Sequence, residues 1–115
     1  MSSSQPSDLH LCPRFHRAVE LIGRRWTGAI IRVLLVGPRR FNELLAAIPG
    51  ISDRLLAERL RELESEEIVR RDVRSSSPVR VEYELTCRGH ELREPLDALG
   101  HWAERWIGGE ASQAS

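Results

Sequence analysis

Apolar side chains along this chain recur at three- and four-residue steps, switch to strict alternation over two short runs, and then return to helical spacing. In the first region Pro13 opens a predicted helix running to about Ile22, with Phe15, Val19 and Ile22 on one side and Gly23 as its stop. A second helix, from about Trp26 to Val36, is expected to bury Trp26, Ile30, Val33 and Leu34 and to end at Gly37-Pro38. Phe41, Leu44, Leu45 and Ile48 mark a third, short helix. Pro49-Gly50 makes a tight turn, and Ser52 caps a fourth helix carrying Leu55, Leu56, Leu60 and Leu63. Ile51 ahead of the cap and Leu56 in the first turns form a hydrophobic staple that fixes the chain's entry angle. Two short helices across a Pro-Gly turn are a helix-turn-helix.

The alternating region reads as a hairpin from Ile68 to Thr86. Val69, Arg71 and Val73 face opposite to Arg70 and Asp72, while Val79, Val81, Tyr83 and Leu85 share one face of the return strand. Ser75-Ser76-Ser77-Pro78 separates the strands as a polar, exposed loop. The last helix is expected from after Thr86 to near Ile107, kinked or restarted by Pro95, which lacks a backbone donor. Leu92, Leu96, Leu99, Trp102 and Trp106 form its apolar stripe. Two tryptophans on a terminal amphipathic helix exceed what so small a domain needs, so the stripe is read as a dimer surface over simple core packing.

A helix sized for the major groove, followed by an arginine-flanked loop, outlines a winged helix-turn-helix. The fold expected is therefore mainly α with a small β-hairpin wing (α+β), its N- and C-terminal helices forming a dimer interface. With 115 residues there is room for one domain, placed at 9–107 between Ser-, Gly- and Ala-rich tails at 1–8 and 108–115 that are expected to be disordered. No apolar run approaches the roughly 20 residues that span a bilayer, and the start lacks the regions of a signal peptide, so a cytoplasmic location without membrane contact is expected.

The zero net charge looks awkward for a nucleic-acid partner until its distribution is considered. Residues 1–41 hold seven Arg against two acids, a balance of +5; residues 42–81 hold seven against eight, or −1; residues 82–115 hold three against seven, or −4. A basic face can coexist with neutrality if the acids occupy another surface. Every basic side chain is Arg, which suits phosphate and guanine but also reads as simple compositional bias.

On a wheel of about 100° per residue, Arg54, Ala57, Glu58, Arg61 and Ser65 fall opposite the leucines of the fourth helix. A recognition helix reads bases mainly with its N-terminal part, which makes Ser52, Asp53, Arg54, Ala57 and Glu58 the candidate reading set. Arg54 suits guanine O6 and N7, Glu58 can accept from cytosine N4, and the Ala57 methyl can meet a thymine methyl. Arg61 lies farther along, toward phosphate. The competing reading is an ordinary solvated helix face with Glu58 in i, i+4 pairs. Arg74, Ser76 and Arg80 belong to the wing that would approach a minor groove or the backbone, and Arg39 and Arg40 are phosphate candidates, with Arg24 and Arg25 weaker ones.

These segments resemble the HxlR-type family of bacterial winged-helix transcriptional regulators. The resemblance is carried by Cys12-Pro13, Glu20-Leu21-Ile22-Gly23-Arg24-Arg25-Trp26 and Gly37-Pro38-Arg39-Arg40-Phe41-Asn42-Glu43-Leu44. It continues through Ile48-Pro49-Gly50-Ile51-Ser52, Leu56, Arg59-Leu60-Arg61-Glu62-Leu63-Glu64, Pro78 and Val81-Glu82-Tyr83-Glu84-Leu85-Thr86. It implies a homodimer built from the first and last helices, with Phe15, Val19, Leu96, Leu99, Trp102 and Trp106 at the interface, bound to an inverted-repeat operator in double-stranded DNA. Ser65-Glu66-Glu67-Ile68 departs from the family's Gly-containing step between recognition helix and wing, which points to a stiffer junction.

Cys12 stands ahead of a helix among His10, Arg14, His16 and Arg17, an environment that can favour the thiolate. Two readings stay open: a redox sensor, as the resemblance implies for some members, and an inert cysteine packed at the dimer interface. Cys87 is expected to be structural. His10, Cys12 and His16 match no common metal site, so no metal and no cofactor are expected. No nucleophile–base pair or phosphate-cradling glycine loop is visible, which sets an enzyme aside. The alternative to a sequence-specific regulator is a winged helix used for protein or RNA contact. A small-molecule effector of unknown identity is left open.

Overall fold

The computed structural model describes residues 12–75 and 77–108. The expected tail at 1–8 and residues 109–115 of the tail expected at 108–115, together with His10 and Ser76, lie outside the described residues. Helix α1 (Pro13–Gly23) is followed by α2 (Thr27–Val36), α3 (Phe41–Ala47) and α4 (Asp53–Ser65). Strands β1 (Val69–Arg74) and β2 (Arg80–Leu85) form an antiparallel hairpin, and α5 (Cys87–His90) and α6 (Arg93–Trp106) complete the chain. This is the mainly helical winged helix-turn-helix expected.

Helix α2 is the hub, touching α1, α3, β2 and α6. Its Thr27, Ile30, Ile31 and Leu34 are buried, with Leu44 of α3, Leu56, Leu60 and Leu63 of α4, and Ile68, Val69 and Leu85 at the base of the wing. Burying each such aliphatic side chain stabilises the fold by roughly 1.5–3 kcal/mol before chain entropy is counted. Trp26 precedes α2 rather than starting it: its φ of +78° is left-handed and its side chain is half-buried. Ile31, not Val33, supplies the fully buried position beside Ile30, because α2 meets neighbours on several sides.

The last helix is two helices, as Pro95 requires. The proline ring would clash with the Glu91 carbonyl in a continuous helix. The break at Glu91–Leu92 instead places Pro95 in the first turn of α6, where a missing N–H costs nothing. Leu96 does not lie at the dimer surface expected for it. It is buried in the protomer's own core, since it falls on the side of α6 that packs against α2. Phe15, Val19, Leu99, Trp102 and Trp106 remain exposed.

The junction between α4 and the wing is a Schellman turn. Ile68 N–H donates to the Leu63 carbonyl at 2.9 Å and Glu67 N–H to the Glu64 carbonyl at 2.9 Å, with Glu67 at φ +63°. Glycine usually occupies that left-handed position; here glutamate does, while Ile68 and Leu63 meet the core together.

Candidate nucleic-acid interface

Gly50 makes the turn between α3 and α4 possible. Its φ of +93° is left-handed, and a Cβ there would lie 3.2 Å from the Trp26 ring. Ser52 then caps α4, its Oγ accepting from the Leu55 N–H at 3.1 Å. Its hydroxyl proton stays available to an outside acceptor. Ile51 and Leu56 are both buried in the same cluster, the placement a hydrophobic staple needs.

The outer face of α4 presents Arg54 and Arg61, exposed and without an ion pair among the described residues, as well as the exposed Asp53. Ala57 and Glu58 sit on its flanks, half-buried. Glu58 lies 3.5 Å from the Arg59 guanidinium, so a base-reading role would compete with that contact. Arg59 itself was not singled out from the sequence. It is buried, donating from Nε to the Arg25 carbonyl at 3.0 Å. The wheel carries the signal, since Arg59 falls only about 60° from Leu56, on the apolar side.

The wing keeps its register from Val69↔Leu85 to Arg74↔Arg80. Its face toward the core fades from buried Val69 and Leu85 to exposed Val73 near the tip. Arg74 is engaged within the hairpin, by Asp72 at 3.3 Å and Glu82 at 3.5 Å, and Arg70 by Glu84 at 2.6 Å. Glu84 holds the Arg70 pKa above its ordinary value, chiefly by hydrogen bonding. Arg80 and Arg71 are exposed and form no ion pair among the described residues. Spacing along the chain does not single out Arg71 as a contact.

Arg39 has a structural task the sequence did not reveal. Its backbone pairs with Tyr83 through N–H···O contacts of 3.0 and 2.8 Å, adding a short third rung to the wing, and its guanidinium turns back to the Pro38 carbonyl at 2.8 Å. Arg40 precedes α3, where its N–H donates to Glu43 at 2.8 Å while its exposed guanidinium lies 3.6 Å from the same carboxylate. Arg24 is drawn to Glu62 at 3.1 Å, and Arg25 lies over the Trp26 ring at 4.8 Å. Cys12 and Cys87 are both free and exposed, Cys12 at the N-terminal boundary of α1 and Cys87 at the start of α5. Among the described residues no cluster of three His, Cys, Asp or Glu side chains could hold a metal ion.

A capped recognition helix behind a tight turn, with a strand-paired wing at its end, defines a winged helix-turn-helix DNA-binding protein. The chain belongs to the HxlR-like helix-turn-helix family, which matches residues 21–111. It is 47% identical over 97 residues to the uncharacterized HTH-type transcriptional regulator YvaP of Bacillus subtilis, covering 84% of this chain and 90% of that one. It is 46% identical to the HTH-type transcriptional regulator YodB of the same organism, over 84% of this chain and 86% of YodB. The solved reduced form of YodB superposes with a TM-score of 0.79 at 45% identity, covering 84% of this chain and 95% of that one. The oxidized form of the redox regulator HypR gives 0.75 at 36% identity, over 82% and 96% of the two chains. The protein is thus a transcriptional regulator of the HxlR type, a family of DNA-binding proteins rather than enzymes. No helix among the described residues is long and apolar enough to cross a membrane.

Proposed function

We propose that the protein acts in the cytoplasm as a homodimer that binds an inverted-repeat operator with sequence specificity. The observation that carries this reading is the state of the arginines. Arg17, Arg24, Arg32, Arg40, Arg59, Arg70, Arg74 and Arg88 are engaged by carboxylates. The described arginines that form no ion pair among the described residues include Arg54 and Arg61 on the outer face of α4 and Arg71 and Arg80 on the wing. Those are positions that face a duplex in a winged helix-turn-helix, and guanidinium groups left unpaired there are available to guanine edges and phosphates. Ser52 and Asp53 complete the candidate reading set, with Ala57 and Glu58 at its margin and Arg39, Arg40, Arg74 and Ser76 as candidate backbone contacts. Exposure of Phe15, Val19, Leu99, Trp102 and Trp106 supports a second copy as the partner for α1 and α6.

A thiol response is part of the proposal. YodB has been solved reduced, diamide-treated and quinone-bound, and HypR is a redox regulator. In this chain the exposed Cys12 stands at the start of a proposed dimer helix. Two Cys12 thiols, one from each subunit, would lose two electrons and two protons to a diamide-type oxidant and form an intersubunit disulfide.

Fluorescence anisotropy on DNA from upstream of the protein's own gene, against scrambled duplex at about 150 mM salt, tests the reading. A preference of about a thousandfold for one duplex supports it. Equal, weak binding across a wide panel of sequences refutes operator specificity and leaves a protein- or RNA-contact module. If Cys12→Ser still releases DNA on diamide treatment, Cys12 is an inert interface residue.

A further inference from the structure

The corner between α1 and α2 is fastened to the recognition helix through one buried arginine. The Arg59 side chain is 10% exposed, and its Nε donates to the Arg25 carbonyl at 3.0 Å. Its terminal nitrogen reaches Glu62 Oε2 at 3.3 Å, and that same oxygen receives the Arg24 guanidinium at 3.1 Å. A further pair joins Arg17 of α1 to Glu66 at the end of α4. The corner itself has little freedom: Trp26 is held at φ +78°, and its ring lies against Gly50 in the turn before α4. The side chains of Arg17, Arg24 and Trp26 therefore end on α4 or on the turn that aims it.

A buried guanidinium is stable only with its donors and its charge both matched, which makes its geometry demanding. Arg59 meets that demand with the main-chain carbonyl of Arg25 at the corner and the carboxylates of Glu58 and Glu62 from its own helix. Helix α1 also carries Phe15 and Val19, part of the face proposed to meet a second copy. Its placement is thus passed to α4 by short, directional contacts.

We propose that Arg24, Arg59 and Glu62 form a positioning clamp that fixes the recognition helix relative to the dimer helix, and so sets sequence-specific DNA binding without touching DNA. The inference rests on the DNA-binding reading above. In a symmetric dimer the two recognition helices must meet major grooves about 34 Å apart or a multiple of that. A loosened clamp blurs that spacing and degrades specific binding, while non-specific attraction to phosphates persists.

Arg59→Ala would empty a buried site and leave the Arg25 carbonyl without its side-chain donor, which threatens the fold, so the test uses Arg24, whose side chain is 49% exposed. The probes are a duplex selected from a randomised pool by the wild-type protein and a scrambled duplex. Affinities are measured over a salt series for wild type, Arg24→Ala, Arg24→Lys and Glu62→Gln, well below each protein's thermal midpoint. The clamp requires Arg24→Ala and Glu62→Gln to weaken the selected duplex about tenfold, with scrambled affinity and salt dependence unchanged, and Arg24→Lys to retain most of the affinity. Loss on both duplexes with the salt slope lowered by about one would make Arg24 a phosphate contact and overturn the clamp. Unchanged affinities would overturn it too. A wild-type protein unable to tell the two duplexes apart would refute the DNA reading itself, and the clamp with it, before any variant is measured.

Discussion

Replacing Gly89 by alanine sets two effects of opposite sign against each other. Glycine in a helix is ordinarily worse than alanine by about 1 kcal/mol, so sequence reasoning expects Gly89→Ala in α5 to stabilise. The structure reverses this. An added Cβ would lie 2.3 Å from the Ile68 carbonyl oxygen and 3.0 Å from Leu85 Cδ2, and the oxygen belongs to backbone that cannot swing aside. An ordinary C···O contact needs about 1 Å more. Moving away strains the bonds that Ile68 O accepts from the Thr86 N–H at 2.9 Å and Thr86 Oγ1 at 3.2 Å. At about 1 kcal/mol each, with overpacking against Leu85 of about another, the cost is near 3 kcal/mol, or about 2 after the helix gain. For a domain of this size the thermal midpoint should fall by about 10 °C. Gly100→Ala is the control, because the nearest atom to its Cβ is the flexible end of Arg32 at 3.4 Å, and it should gain a few degrees. Differential scanning calorimetry at one fixed protein concentration reads both. A Gly89→Ala midpoint at or above wild type would refute the argument that α5 is locked onto the base of the wing.

Arg54→Ala should cost roughly 1–3 kcal/mol at one base position of the operator and relax specificity there, whereas Arg80→Ala should weaken all duplexes alike and lower the salt slope by about one. Intact operator affinity in Arg54→Ala would overturn the placement of α4 in the groove. Trp102→Glu with Trp106→Glu should leave a folded monomer in sedimentation velocity, and a persisting dimer would move the interface elsewhere. Glu43 accepts the Arg40 N–H and stands near the Arg40 guanidinium, which holds its pKa below 4.5. Its contribution to stability is therefore full above that value and lost as pH falls through the lower folded-state pKa. Glu43→Gln should remove that part of the acid dependence in urea titrations carried down through and below the ordinary carboxylate range, and an unchanged profile would refute it.

Much of this was legible because local rules and tertiary packing agree. The Ser52 cap, the Pro49-Gly50 turn, the Ile51–Leu56 staple and the alternating wing strands are encoded within a few residues of where they act. Pro95 announced a break in the last helix for the same reason. Arg59 was missed because its charge argues for solvent while its place on the wheel argues for burial, and only the carbonyl at the neighbouring corner decides between them.

The sequence by itself determined the order of the elements, the caps and turns that bound them, and the family, since each depends on spacing along the chain. Tertiary structure alone decided which arginines are free. Arg54 and Arg74 are equally basic as residues, yet Arg74 meets Asp72 and Glu82 across the hairpin while Arg54 forms no ion pair among the described residues. It also decided that Leu96 turns inward while Leu99 and Trp102 stay out, and that Arg39 joins the wing through Tyr83. These outcomes depend on which distant side chains and backbone groups come within a few ångströms, and linear spacing carries no such distance.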